Sequence, residues 1–282
     1  MLVTLNEVLL EAQDQGYAVG AFNVYNLESA QAVIFGAIAT NAPVIINTSP
    51  KAIDYAGLMN LAALLLDMAE RAPIPVVVHL DHGKDLQLLK ECVTNGYSSV
   101  MFDASGLPES EKIPQTLTAA NFVHQHNITI EGEHDSIGGN EDYLKGEDKH
   151  FTDPDKAAVF VDRTDLDAFA VSIGNIHGPA LPDETLDIDL LKKIRAKVEV
   201  PLVLHGASNT PPKLIKEAIA AGICKINIDT ELRQHFLAQI HHTLVHNRDL
   251  LDPRDLLFPA REAMVHVVKA KIQLFGCQGR GK

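Results

Sequence analysis

Cysteine is scarce in this chain of 282 residues: Cys92, Cys224 and Cys277 are the three it has, and they stand far apart. They are too few and too scattered for a disulfide framework or a cysteine-based zinc site, and a reduced, cytoplasmic setting is the expectation. Positive charge is short as well. The chain carries 24 Lys and Arg against 37 Asp and Glu, a formal net charge of −13. That balance argues against broad binding to nucleic acid or to an anionic membrane, both of which need a basic footprint. It leaves room for an anionic small substrate held in one local site. Long apolar runs are missing: the stretch Leu61 to Leu66 falls far short of the roughly 20 residues that span a bilayer. Met1-Leu2-Val3-Thr4 opens the chain without a basic segment ahead of an apolar one, so a secretory signal is not expected. No shift in composition divides the sequence, and one domain over residues 1–282 is the expectation.

What is present is a repeated alternation. Short runs rich in Val and Ile, bounded by turn residues, recur at 18–24, 43–49, 75–80, 98–104, 128–133, 168–173, 201–205 and 225–229. Between them lie segments with apolar residues spaced as on one helical face, such as Leu27 to Ile38, Leu58 to Ala69 and Leu214 to Ala221. Continuous apolar strands separated by helices are parallel strands buried on both faces. Eight of them predict an α/β fold, a (β/α)₈ TIM barrel, a unit that commonly uses about 250 residues. Pro43, Pro75 and Pro201 stand at strand starts, where a missing donor costs little. Thr4 and Glu7 fit a capping box for a first helix. Pro253 to Phe275 reads as an extra C-terminal helix outside the barrel, and the Gly-rich tail from Cys277 to Lys282 reads as mobile.

In such a barrel the chemistry gathers at the C-terminal ends of the strands. Three of those ends carry His-Gly: His82-Gly83 in HLDHG, His177-Gly178 in GNIHGP and His205-Gly206 in LVLHGAS. Three imidazoles from separate strands, converging on one rim, suit a divalent metal with an open coordination position. Asp81 reaches the same rim and is a candidate acid or base, or else a partner that orients a ligand histidine. Glu133 ends the fifth strand and is a candidate fourth metal contact. The 18-residue stretch from Asp135 to Thr152 is long for a barrel connection and reads as a lid or as a solvated loop. After the seventh and eighth strands, Gly206-Ala207-Ser208 and Asn227-Ile228-Asp229-Thr230 offer amides, hydroxyls and helix starts to a phosphoryl group. His124, His126, His241 and His266 read as solvated helix positions, and His242 with His246 as adventitious at most.

HLDHG, GGNED, HGAS and KINIDTE, in this order, together with GYAVGAFNVYNLE near the start and DPRDLLFPAREAM near the end, resemble the class II metal-dependent ketose-bisphosphate aldolases over nearly the whole chain. The resemblance implies zinc on His82, His177 and His205, with Glu133 as an acid that holds the metal in a second position. It implies a substrate with a dihydroxyacetone phosphate unit. Asp81 would exchange the C4 hydroxyl proton, and Glu141 on the long loop would serve the C3 proton. Gly178, Gly206, Ser208, Asn227 and Thr230 match the site around the first phosphate, often with a monovalent cation, Na+ or K+, beside it. Asn23, Ser49 and Arg254 match further substrate contacts, Arg254 at the distal phosphate. Asp229 sits where an acid or amide accompanies fructose enzymes and Ala accompanies tagatose enzymes. The reaction implied is reversible cleavage of a ketose 1,6-bisphosphate, fructose over tagatose, by a cytoplasmic homodimer or homotetramer.

The chain departs from the family pattern at three places. Glu133-His134-Asp135 replaces the usual Glu-Leu-Gly and adds potential metal ligands; Pro179-Ala180-Leu181 supplies no cation where a Tyr-Lys pair is common; and Asn209 stands for a usual Gly. Another ketose phosphate, such as a deoxy-keto-gluconate phosphate, is an alternative substrate, and a catalytically silent phosphosugar-binding relative is the non-enzymatic alternative. A Schiff-base aldolase would need a Lys at a strand's C-terminal end, whereas Lys225 is read as opening the eighth strand. An amidohydrolase would want His-x-His on the first strand, which has Phe22-Asn23-Val24 instead.

Overall fold

A computed structural model describes residues 1–141, 144–147, 150–178 and 185–282, with the backbone alone at 140–141 and 144–147. The chain runs α1 (Leu5–Gln15), β1 (Val19–Asn23), α2 (Leu27–Ala39), β2 (Val44–Thr48), α3 (Pro50–Ala56), α4 (Leu58–Arg71), β3 (Val76–Gly83) and α5 (Leu86–Thr94). It continues through β4 (Ser99–Asp103), α6 (Glu109–His124), β5 (Thr129–Glu133), β6 (Gly139–Glu141), β7 (Leu144–Glu147), α7 (Pro154–Thr164) and β8 (Ala168–Val171). Then follow α8 (Ile188–Arg195), β9 (Leu202–Leu204), α9 (Pro212–Ala220), β10 (Ile223–Ile228), α10 (Thr230–His246) and α11 (Pro253–Phe275).

Eight parallel strands close into a barrel in the order β1-β2-β3-β4-β5-β8-β9-β10, while β6 and β7 form a separate antiparallel hairpin. The barrel is therefore the one expected, with helices packed outside it. Many strand positions on both faces are filled by Val, Ile and Leu, as in Val76-Val77-Val78, all fully buried. The strands are covered on both sides, so most of them read as apolar runs, with polar residues such as Glu131 and Glu133 where the site is built. Thr4 caps α1, its amide and hydroxyl both donating to the Glu7 carboxylate. Among the described residues no single helix is long and apolar enough to cross a membrane.

Three expectations need correction. The tail is held in place: Cys277 is fully buried, and the amides of Gly279 and Gly281 donate to the carbonyls of Thr40 and Asn41. His124 is half-buried rather than solvated, its ring bonded to Asp167 at 2.9 Å. The eighth barrel strand begins at Ile223, two residues early, which puts Lys225 inside the strand and wholly buried, its ammonium 2.8 Å from Glu131.

Candidate active site

The site is built first by a break in strand register. β3 pairs evenly with β4 up to Leu80↔Val100, then slips so that Gly83 lies opposite Phe102. Asp81 and His82 occupy the bulge, and His82 takes a left-handed φ of 52°, a costly conformation for a residue with a Cβ. Strain of this kind persists where the surroundings over-determine it, commonly at functional sites. Here it lets adjacent residues serve one rim: Asp81 lines the cleft, and His82 stands beside His177 and His205.

The three imidazoles come together as expected. Ring centroids lie 5.0 Å apart for His82 and His177, and 4.7 Å apart for His82 and His205. Nδ1 of His205 is 2.9 Å from Nε2 of His82, and one nitrogen from each ring falls within 4.8 Å of the others. Rings this close cannot all be protonated. Burial works against charge on His82, but Asp81, the hydrogen bond to Asp103, and Glu133 outweigh it and push its pKa up to about 10. Burial and the neighbouring His82 bring His177 down to about 3. Burial and the same neighbour hold His205 well below the usual imidazole range. Metal ligation requires neutral imidazole, so the ion would displace the extra proton favoured on His82.

The donor set fits a divalent metal. Besides the three rings, Glu133 points a buried Oε2, which has no hydrogen-bond partner among the described residues, to within 3.8 Å of His82 Nδ1. His82, Asp103 and Glu133 form a second group of suitable geometry. Burial and the nearby Asp103 raise the Glu133 pKa well above the ordinary value. A cation there would offset both. Asp103, bonded to His82 Nδ1 at 3.2 Å, escaped the sequence reading although it too is the last residue of its strand.

Asp81 is 3% exposed, and its two oxygens accept from Asn23 Nδ2 at 2.9 Å and Asn227 Nδ2 at 3.0 Å. Burial disfavours its charge, yet His82, His205, Lys225 and the Asn23 bond hold its pKa below the ordinary carboxylate value. The cleft above it is lined also by Gly178, Gly206, Ser208, Asp229 and Thr230, as the strand-end reading expected. Ser208 Oγ accepts from the amides of Asp229 and Glu231 at 3.3 Å, which ties it to the start of α10. Asp229 is ion-paired with Arg233 at 2.5 Å. Asn209 has φ 61°, a left-handed conformation that glycine adopts freely and that Asn tolerates better than most side-chain-bearing residues.

Other expected positions lie elsewhere. Ser49 caps α3, accepting from the Ala52 amide, and is not among the residues that line the cleft. Arg254 stands at the start of α11, 88% exposed and bonded to Asp252. His134 and Asp135 add no ligands to the metal cluster: the His134 ring bonds Asp135 at 2.9 Å and Glu109 at 3.2 Å and packs on Phe160. The long loop after β5 forms the hairpin, and the backbone of Glu141 closes β6; its side chain, like Pro179-Ala180-Leu181, lies outside the described residues. The hairpin touches the metal cluster through its base. The His177 amide donates to the Gly138 carbonyl at 2.8 Å, and Gly139 bridges to His177. A Cβ at Gly139, where φ is 111°, would sit 2.2 Å from the His177 carbonyl oxygen.

Gly206 is as constrained. With φ 62°, a Cβ there would fall 2.2 Å from the carbonyl oxygen of Ile176, just ahead of His177. Gly206→Ala is expected to lower the melting temperature by about 5–10 °C, measured by calorimetry; an unchanged melting temperature would mean that the Ile176 carbonyl shifts at no cost.

A profile of the class II fructose-bisphosphate aldolases matches residues 3–280. The chain belongs to this family. Among solved structures, the YdjI aldolase of Escherichia coli K12 is 36% identical over the full length of both chains, with a TM-score of 0.89. A putative fructose-1,6-biphosphate aldolase of Coccidioides immitis is 26% identical, covering 98% of this chain and 97% of that one, at a TM-score of 0.91. The fructose-bisphosphate aldolase of Campylobacter jejuni shares the fold at 24% identity and a TM-score of 0.82, with 98% and 96% coverage. This class II aldolase is thus a carbon–carbon lyase of a metal-dependent family, and sugar phosphates are the family's substrates.

Proposed function

We propose that the protein catalyses zinc-dependent, reversible aldol cleavage of a ketose 1,6-bisphosphate, fructose 1,6-bisphosphate in preference to tagatose 1,6-bisphosphate, to dihydroxyacetone phosphate and glyceraldehyde 3-phosphate. The observation that carries this reading is the meeting of three imidazoles from three strand ends beside a buried carboxylate held by two amides. His82, His177 and His205 would hold the zinc, with Glu133 as a second contact. When bound, the metal supplies a Lewis acid that draws electron density toward the ketose carbonyl. Asp81 takes the proton of the C4 hydroxyl, so that C4 becomes the aldehyde carbon as the C3–C4 bond breaks and its electron pair passes toward C2. Glu141 returns a proton to C3. Asn23 and Asn227 keep the Asp81 carboxylate aimed at the cleft, and Gly178, Gly206, Ser208 and Thr230 take the first phosphate, with a monovalent cation beside it. The chain is further read as one barrel domain, working in the cytoplasm as a homodimer or homotetramer. Exposed apolar side chains such as Phe35, Leu244 and Phe258 on α2, α10 and α11 support the assembly.

A second reading is favoured by Arg254. Its exposure and its bond to Asp252 leave the far end of the cleft to other groups, as suits a ketose phosphate with a different distal end, such as a deoxy-keto-gluconate phosphate. A panel of ketose phosphates assayed for cleavage with added zinc separates the two. Fructose 1,6-bisphosphate is expected to give the highest kcat/KM, and absence of turnover on every member would favour a silent phosphosugar-binding protein. Asp229 is the group proposed to tell the C4 epimers apart. Its hydrogen bond is expected to separate fructose from tagatose 1,6-bisphosphate by about ten- to a hundredfold. Asp229→Ala should collapse that ratio; an unchanged ratio, or a wild type that prefers tagatose 1,6-bisphosphate, removes Asp229 from this role.

A further inference from the structure

Beneath the three imidazoles the barrel holds an ion pair that the mechanism above does not use. Lys225 and Glu131 are both fully buried, with Lys225 Nζ 2.8 Å from Glu131 Oε2. Burying such a pair costs desolvation, and well-packed apolar residues of similar volume are often as stable or more so. Stability is therefore a weak reason for it to stand in a core otherwise rich in Val, Ile and Leu.

Its hydrogen bonds supply a better one. The other oxygen of Glu131 lies 2.8 Å from Nε2 of His205. An ionised carboxylate only accepts, so Nε2 of His205 must carry the hydrogen and Nδ1 is left with its lone pair. That Nδ1 is the atom 2.9 Å from His82, on the side where the donor nitrogens gather. Lys225 acts in the complementary sense. Its ammonium only donates, and it lies 2.8 Å from Asn227 Oδ1. The Asn227 amide is thereby turned with its oxygen toward Lys225 and its NH2 toward Asp81, which accepts from it at 3.0 Å.

We propose that the buried Glu131–Lys225 pair is a positioning device with two arms, one setting the tautomer and aim of His205 through Glu131, the other setting the amide of Asn227, and through it Asp81, through Lys225. The inference rests on the metal site proposed above. One pair of charges thus prepares both the third metal ligand and the proton acceptor.

The test uses cobalt(II) as the probe in the full-length protein, with affinity read by chelator competition and coordination by the visible spectrum. Glu131→Leu with Lys225→Met is expected to fold, with a melting temperature at or above that of wild type, and to bind cobalt about 10- to 100-fold more weakly with an altered spectrum. Glu131→Gln with Lys225→Met restores an acceptor for His205 and leaves Asn227 untethered. It should bind cobalt within about threefold of wild type, while kcat for fructose 1,6-bisphosphate falls by about tenfold or more at little changed KM. Wild-type cobalt affinity in the apolar pair overturns the Glu131 arm, as does a Gln variant that loses cobalt. A wild-type kcat in the Gln variant overturns the Lys225 arm. Should the apolar pair not fold, the Gln variant decides by the same criteria. A wild-type protein that takes up no cobalt refutes the metal reading and this inference with it; normal uptake alongside an indifferent apolar pair refutes the inference alone.

Discussion

Asp81→Asn is expected to keep zinc and substrate affinity and to lower kcat by about 100-fold or more, the scale of a lost acid–base group. The metal is assigned to three histidines, and Asp81 is bonded to Asn23 and Asn227 rather than to any of them, so removing its charge leaves the ligand set complete. Asparagine preserves the shape but presents an NH2 to one of two amide donors, and it has no lone pair basic enough to take a hydroxyl proton. Steady-state kinetics alongside metal analysis of the purified variant make the measurement. Zinc lost together with the carboxylate would make Asp81 a support for the neighbouring His82 instead of the proton acceptor.

Chelation is the second large effect. Removal of the metal should abolish cleavage, added zinc should restore it, and borohydride in the presence of substrate should trap no covalent adduct. The buried Lys225 is not among the residues that line the cleft, and its ammonium is engaged by Glu131 and Asn227, so it is not presented to a ketose carbonyl. Metal that binds only the folded chain also stabilises it, by about 4 kcal/mol at a thousand times Kd, so chelation should lower the melting temperature as well. A borohydride adduct, or full activity after exhaustive chelation, would overturn the metal mechanism.

The barrel was legible because its strands are covered on both faces, so most show as short apolar runs that need no knowledge of their neighbours. The His-Gly ends followed, since parallel closure brings every strand's last residues to one rim. What stayed hidden depends on partners far away in the chain. Lys225 looks like a strand opening until Glu131 is seen opposite it, and unbroken apolar strands carry no alternation that says which side points inward. His134 follows Glu133 directly, yet Glu109 and Phe160 draw its ring away from the site. The Gly-rich tail brings only Cys277 to the core, and bonds from its glycine amides to the carbonyls of Thr40 and Asn41 add to its order. The bulge at Asp81-His82 is a two-strand property, invisible in HLDHG itself.

The β6–β7 hairpin offers a lesson for exchanging parts between relatives. Long loops on barrels invite grafting, on the premise that a loop is a cassette and the barrel an inert chassis. Here the base of the loop, Gly138-Gly139, is hydrogen-bonded to the backbone of a metal-cluster histidine. A transplanted hairpin brings its own attachment angle to His177, and a donor with any side chain at position 139 pushes on that residue's carbonyl. Chimeras cut outside this junction would inherit altered metal affinity along with altered specificity, and the two traits would move together in any lineage that diversified by replacing this loop.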